Sequence, residues 1–244
     1  MLKRVLAAFT LALCVLSARD AACVTIVFQE GSLLPGGGTY TGTQDTEIQE
    51  GNPTASLGAS TSVRVDLFFD TGFGTGEVQG LLLFDNLFGA LPDQIPLGST
   101  INSAVLTLDV FNSSNVPIGI ISIHQMTTAW SESSTWSSLG SGVQVGSETV
   151  TAADDSHTAE FIALTTFDVQ ASLQAWSDGA SNLGWALFNS DTDAIEFRSS
   201  EFGTVSSRPL LTVDFTPVPE PGSLLLAGLA GAAALCARRL RRRA

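Results

Sequence analysis

Between residues 24 and 217 the chain contains no lysine. Three arginines, Arg64, Arg198 and Arg208, face 22 acidic residues over that stretch, a formal charge of −19, whereas the whole chain carries −13. A surface so poor in cations has no basic patch with which to hold nucleic acid or an anionic lipid surface. It also disfavours polyanionic polysaccharide, and leaves cations, neutral glycans and basic partners as compatible ligands. Cysteine is scarce too. Cys14 and Cys236 lie near the two ends and only Cys23 is left for the middle, so no disulfide can staple it. The fold must rest on a hydrophobic core, and about 190 residues suffice to bury one.

Catalytic residue types are few. The chain has two histidines, His124 and His157, and one tyrosine, Tyr40. Catalysis needs a nucleophile with its base, a tuned acid–base pair, or a metal. The histidines fit no zinc-ligand spacing, and a lyase, which needs Tyr, His, Lys or Arg to neutralise a uronate and move a proton, is a poor fit to a domain without lysine. No catalytic residue is assigned, and the chain reads as a non-enzyme.

What is present is most distinctive at the ends. "MLKRVLAAFTLALCVLSARDAAC" places Lys3 and Arg4 before an apolar run and then small residues, the order of a secretory signal peptide over residues 1–22. Cleavage is expected after Ala18; lipoprotein processing at Cys23 is disfavoured because Asp20 stands where an aliphatic residue is needed. The chain closes on "VPEPGSLLLAGLAGAAALCARRLRRRA". Leu224 to Ala237 has no charge, yet as a helix it would rise only about 21 Å, against a hydrocarbon core of about 30 Å. Snorkelling of Arg238 and Arg239 would extend this short span, with Arg241, Arg242 and Arg243 also held on the cytoplasmic side.

Pro219-Glu220-Pro221, a short apolar helix and an arginine cluster in that order resemble the PEP-CTERM sorting signal of Gram-negative bacteria. The resemblance implies export through the Sec translocon, a transient anchor in the inner membrane, and processing near Pro219-Glu220-Pro221 by an exosortase. It further implies a final place on the cell surface or in an exopolysaccharide matrix, with extracellular polysaccharide as an expected partner and nucleic acid as none.

The middle reads as strands. "SVRVDLFF" (62–69), "VQGLLLFD" (78–85), "SAVLTLDVFN" (103–112) and "IGIISIHQM" (118–126) are short apolar or alternating runs, and "TAEFIAL", "LGWALFNS", "AIEFRSS" and "PLLTVDF" continue the series. Gly, Ser, Asn, Pro and Asp clusters between them supply turns. "FDVQASLQAWSDG" departs from this pattern. Val169, Leu173 and Trp176 share a helical face, with Asp168 as N-cap and Gly179 as C-cap, so one short helix is expected to close an end of the sandwich. Residues 23–39 are expected to form a lead-in strand and flexible loop, with "EGSLLPGGGTYTG" (30–42) mobile.

The order "TEIQEGNPTASLGASTSVRVD", "LLLFDN", "STINSAVLTLDV", "TAWSESSTW", "FDVQASLQAWSDG", "GWALFNS", "EFRSSEFGTVSSRPLLTVDF" is similar to the DNRLRE-type domain over residues 40–216. The resemblance implies an all-β jelly-roll sandwich like a carbohydrate-binding module, between an N-terminal signal helix and a C-terminal sorting segment at 217–244. The chain departs from the family at Leu83, where a basic residue is usual, and in the wide hairpin of residues 70–80.

Candidate sites follow from chemistry. Aromatic faces dock the C–H face of pyranose rings. Tyr40, beside a glycine run, is the aromatic expected to be exposed, and Trp130 and Trp136 flank a loop as further ligand candidates; Trp176 and Trp185 are expected in the core. Glu132, Glu201 and Arg208 stand in the two most family-like runs and are expected to hold architecture, a carboxylate accepting backbone or Arg208 hydrogen bonds at a loop base. No cofactor is required. A structural Ca²⁺ ion on Asp45 and Glu47 is the expected option, since exported proteins meet calcium and hard cations take oxygen ligands; Asp66 with Asp70, Asp154 with Asp155, and Asp191 with Asp193 are similar pairs. The function expected is a non-catalytic, glycan-binding surface or matrix protein. Its alternatives are a structural or adhesive module without a discrete ligand, a secreted hydrolase or lyase, and, most remotely, an ice-binding protein.

Overall fold

The computed structural model describes residues 22–113, 119–158, 163–191 and 194–218. The signal peptide, the C-terminal apolar helix and the arginine block lie outside the described residues. Among those described, no helix is long and apolar enough to cross a membrane.

Eleven strands and one α-helix build Cys23–Pro217 into a single unit. In chain order they are β1 (Val24–Gln29), β2 (Thr43–Gln49), β3 (Ser62–Asp70), β4 (Thr75–Phe84), β5 (Thr100–Ser113), β6 (Ile120–Gln125), β7 (Asp155–Thr158), β8 (Leu164–Asp168), α1 (Gln170–Ser177), β9 (Trp185–Asn189), β10 (Ile195–Arg198) and β11 (Leu210–Thr216). Every strand pairing between them is antiparallel. Hydrogen bonding runs β1-β11-β5-β10-β3-β4-β9-β6-β7, with β8 added on β5 and β2 added on β4.

This ribbon folds onto itself as an all-β sandwich. Ile26 and Phe28 of β1, Leu106 and Leu108 of β5, and Leu211, Val213 and Phe215 of β11 share one buried cluster with Leu82 and Phe84 of β4, Ile123 of β6, and Trp185 and Leu187 of β9. The sequence dictates this by alternation. In β11 every second side chain points inward, as a strand with one buried face requires. Strand β4 instead carries the continuous run Leu81–Phe84, and it is buried on both faces. Leu82 and Phe84 face the main core. Leu81 faces a second cluster with Ile48, Met126, Trp136, Leu139, Val143 and Ala186. Much of that cover comes from the strand-poor stretch 127–150, which Gln79 pins by donating to the Val143 carbonyl (3.0 Å) and accepting its N–H (2.8 Å).

Helix α1 forms where expected, with its cap one residue later than read. Val169 occupies the N-cap and the Asp168 carboxylate accepts the Gln170 N–H at 3.0 Å. Gly179, at φ +106°, closes the helix. Its N–H reaches the Trp176 carbonyl, and the Ala180 N–H reaches Ala175, the paired bonds of a Schellman end. Val169, Leu173 and Trp176 are all buried. Gln170 and Gln174 fix the helix to Ile101 by accepting its N–H and donating to its carbonyl.

Two expectations change here. β1 pairs with β11 along its full length, so residues 23–39 are not a lead-in but contribute an edge strand of the same unit. The 30–42 loop, expected mobile, is closed by backbone bonds from Gly31 to Tyr40, Leu34 to Gly38 and Tyr40 to Ser32. "TAEFIAL" falls largely on undescribed residues, with β7 and β8 on either side.

Candidate functional site

Strand β2 carries unusual cargo for a buried strand. Asp45 lies opposite Leu82 and Glu47 opposite Gly80, on the face that elsewhere meets the main core. They sit at the rim of the sandwich, and each reaches across it to a backbone amide. Asp45 Oδ2 accepts the Ser200 N–H at 2.7 Å. Glu47 Oε2 accepts the Arg64 N–H at 2.6 Å, and its Oε1 accepts from Gln49 Nε2. Both acids therefore satisfy donors that packing would otherwise strand.

Asp45 is 1% exposed. Burial pushes its carboxyl up to about 8, the Glu201 charge adds to this, and the Ser200 hydrogen bonds oppose it. Burial likewise raises Glu47, against the pull of the Arg64 N–H. Glu132 is raised by burial and then by Glu201 and Glu30. Asp45, Glu132 and Glu201 thus share one electrostatic neighbourhood, in which the protonated form of Asp45 is favoured. Glu201 accepts from the Ser200 hydroxyl at 2.9 Å, and its Oε2 is buried without a partner. Asp45 is closed beneath Ser200.

Asp45 and Glu47, the expected calcium ligands, already accept backbone N–H groups. Their accepting oxygens are committed to two different segments, and among the described residues no three His, Cys, Asp or Glu side chains converge to hold a metal ion. The other acid pairs also divide. Asp154 accepts from Ser172 Oγ and from Trp185 Nε1, whereas Asp155 accepts the Asp168 N–H and faces His157 at 3.5 Å. Asp193 lies outside the described residues.

The aromatic candidates need correction. Tyr40 is not exposed: it is 4% accessible, packed between Phe28 and Phe84, and its hydroxyl donates to the Asp85 carbonyl at 2.8 Å. The glycines beside it serve the turn that folds it inward. Trp136 is 8% exposed and covers the outer face of β4. Trp130 is half-buried against the same cluster and donates Nε1 to the Leu183 carbonyl at 2.8 Å. Tyr40 does line the groove between residues 34–42 and 86–94, with only 4% of its surface accessible. Trp176 and Trp185 are in the core, as read. Among the described residues the exposed phenylalanines are Phe68 and Phe73, on β3 and its turn.

Arg208 holds architecture by a route other than a carboxylate. Its Nε donates to the Phe202 carbonyl at 2.7 Å and its Nη1 to the Glu30 carbonyl at 3.0 Å. His124 packs in β6 edge-on to Phe188, and His157 lies in β7 against Phe167. A groove of about 330 Å³ opens between the loops 34–42 and 86–94, and Asp93 is its single acid.

One arrangement escaped the sequence reading. On the outer side of β10, Arg64 meets Glu196 at 3.1 Å and lies over the Phe69 ring at 4.2 Å. Beside it the Arg198 guanidinium stacks between Phe111 (3.5 Å) and Phe202 (4.1 Å). The scarcity of arginine was the available signal; the phenylalanines, 87 residues upstream and 4 downstream of Arg198, could not be placed beside it without the fold.

No curated protein matches the chain. Residues 217–243 match the PEP-CTERM protein-sorting motif, which indicates export and sorting to the cell surface by exosortase in Gram-negative bacteria.

Proposed function

We propose that the chain is a non-catalytic surface or matrix protein whose β-sandwich is a jelly roll of the DNRLRE type, and that it is retained among extracellular polysaccharide. The sorting motif at 217–243 carries this reading. The apolar segment Leu224–Ala237 would hold the exported protein in the inner membrane, its arginines on the cytoplasmic side, until cleavage near Pro219-Glu220-Pro221 frees the domain. Non-catalysis is supported by the commitment of Asp45 and Glu47 to backbone amides. No cofactor is required for this role.

Deleting Leu224–Ala244 tests the reading. The expected result is soluble exported protein, while the intact chain matures on the surface without its arginine block. A mature surface form from exosortase-competent cells that keeps its C-terminus would overturn the reading. Purified protein is also expected to leave polysaccharides intact; turnover abolished by Glu132→Gln or Glu201→Gln would establish an enzyme instead.

The burial of Tyr40 and Trp136 favours a second reading. In it the sandwich is a structural or adhesive module with no discrete ligand, and retention depends on sorting alone.

A further inference from the structure

Of the three cations in residues 24–217, two are fully engaged. Arg64 pairs with Glu196, and Arg208 donates to two backbone carbonyls. Arg198 is different. Among the described residues it meets no carboxylate or carbonyl, although 22 acids share the same stretch of chain. Its contacts are the Phe111 and Phe202 rings.

Each ring is placed by a specific device. The register between β10 and β5 steps from Glu196↔Asn112 to Phe197↔Val110, so Phe111 is the extra residue of a β-bulge, a feature that re-aims a side chain. Phe202 is held by its carbonyl, which accepts Arg208 Nε at 2.7 Å, and by its N–H to Ser199. The guanidinium carbon lies 3.5 Å from the Phe111 ring centroid and 4.1 Å from that of Phe202, and the five N–H donors of the fork lie in its own plane. A fork fixed in this way loses little freedom when it binds.

We propose that Arg198, clamped by Phe111 and Phe202, is a binding site for a vicinal hydroxyl pair of a neutral glycan. The fork suits two adjacent oxygens, and half-buried phenyl rings offer apolar shoulders to sugar C–H groups. A domain at −19 repels a polyanion at long range but places no such penalty on an uncharged ligand. The inference rests on the proposed retention among polysaccharide and names the chemistry that would do the retaining.

The test titrates the full chain in detergent micelles with neutral gluco-, manno- and galacto-oligosaccharides and with oligogalacturonate, following the arginine Nε–H signals by NMR. The expected result is binding of a neutral oligosaccharide that shifts the Arg198 signal. Arg198→Lys, which keeps the charge and loses the fork, should weaken this binding at least tenfold while the lost ring stacking lowers the melting temperature by no more than a few degrees; Phe202→Leu should weaken it as well. If a neutral oligosaccharide binds the wild type and Arg198→Lys equally, the site falls while the matrix reading stands. A preference for oligogalacturonate overturns the ligand class. If the wild type binds no oligosaccharide, both the site and retention by polysaccharide fall, and sorting alone remains.

Discussion

Glu47 and Arg64 meet through the backbone more than through their charges: Glu47 Oε2 accepts the Arg64 N–H at 2.6 Å, while the Arg64 guanidinium pairs with Glu196 at 3.1 Å and adds a weaker attraction to Glu47. An acid and a base placed side by side in the fold thus serve separate structural tasks. Removing the carboxyl leaves an amide without its acceptor, at a cost of about 1–3 kcal/mol. For a domain of this size each kcal/mol is roughly 2–4 °C in melting temperature. Glu47→Ala should therefore lower the melting temperature by roughly 2–12 °C, and Glu47→Gln, which keeps an acceptor oxygen, by less. Equal losses in the two variants would assign the effect to packing.

The pH dependence of stability should run opposite to that of a protein held by salt bridges. The Asp45 carboxyl moves from 3.8 to about 8 on folding, and Glu47, Glu132 and Asp154 are also raised. A raised acid binds more protons in the native state. The stability it brings is fully present below the unfolded value and is lost as pH climbs through the folded one. Melting temperature is expected to fall between pH 5 and pH 9, and Asp45→Asn, neutral throughout, should flatten that slope. Parallel slopes for wild type and variant would remove Asp45 as a source of the effect.

Gly58 marks where the loop after β2 lies against the Trp130–Trp136 run. A Cβ there would stand 2.4 Å from both the Glu132 Cβ and its carbonyl oxygen, so backbone must move to admit it. Gly58→Ala should destabilise by about 1–3 kcal/mol through overpacking, read as a drop in denaturant midpoint at unchanged slope. An unaltered midpoint would mean that the two loops part without cost.

Asp154 ties the loop before β7 to Ser172 of α1 and to Trp185 in the core. Asp154→Ala strands the indole N–H of a fully buried tryptophan, at about 1–3 kcal/mol. Asp154→Asn keeps an acceptor and should restore most of the loss. Tryptophan emission followed through thermal unfolding reads both; a red-shifted native spectrum in the alanine variant alone is the expected signature.

The legible parts of the fold were those in which one physical signal dominated. Alternation in "PLLTVDF" and "SVRVDLFF", and the helical face of Val169, Leu173 and Trp176, gave the strands and helix almost residue by residue. Strand β2 was harder to see. Its "TQDTEIQ" has one apolar residue, Ile48, because Asp45, Glu47 and Gln49 face the rim and work through hydrogen bonds. Tyr40 misled for a related reason: a glycine run suggests exposure, yet here it folds the ring inward onto Phe28 and Phe84. The Arg198 clamp depends on a bulge, a register step that no composition or periodicity encodes.

The missing lysines have a consequence for survival outside the cell. Trypsin-like proteases cut after lysine or arginine, and within residues 24–217 they find three candidate bonds. The one after Arg64 lies within β3, and the one after Arg198 follows directly on β10 behind a side chain held by two rings. The bond after Arg208 is followed by Pro209, whose ring hinders cleavage. Such proteases would leave the sandwich whole, so its lifetime in a protease-rich matrix would depend on enzymes of other specificity.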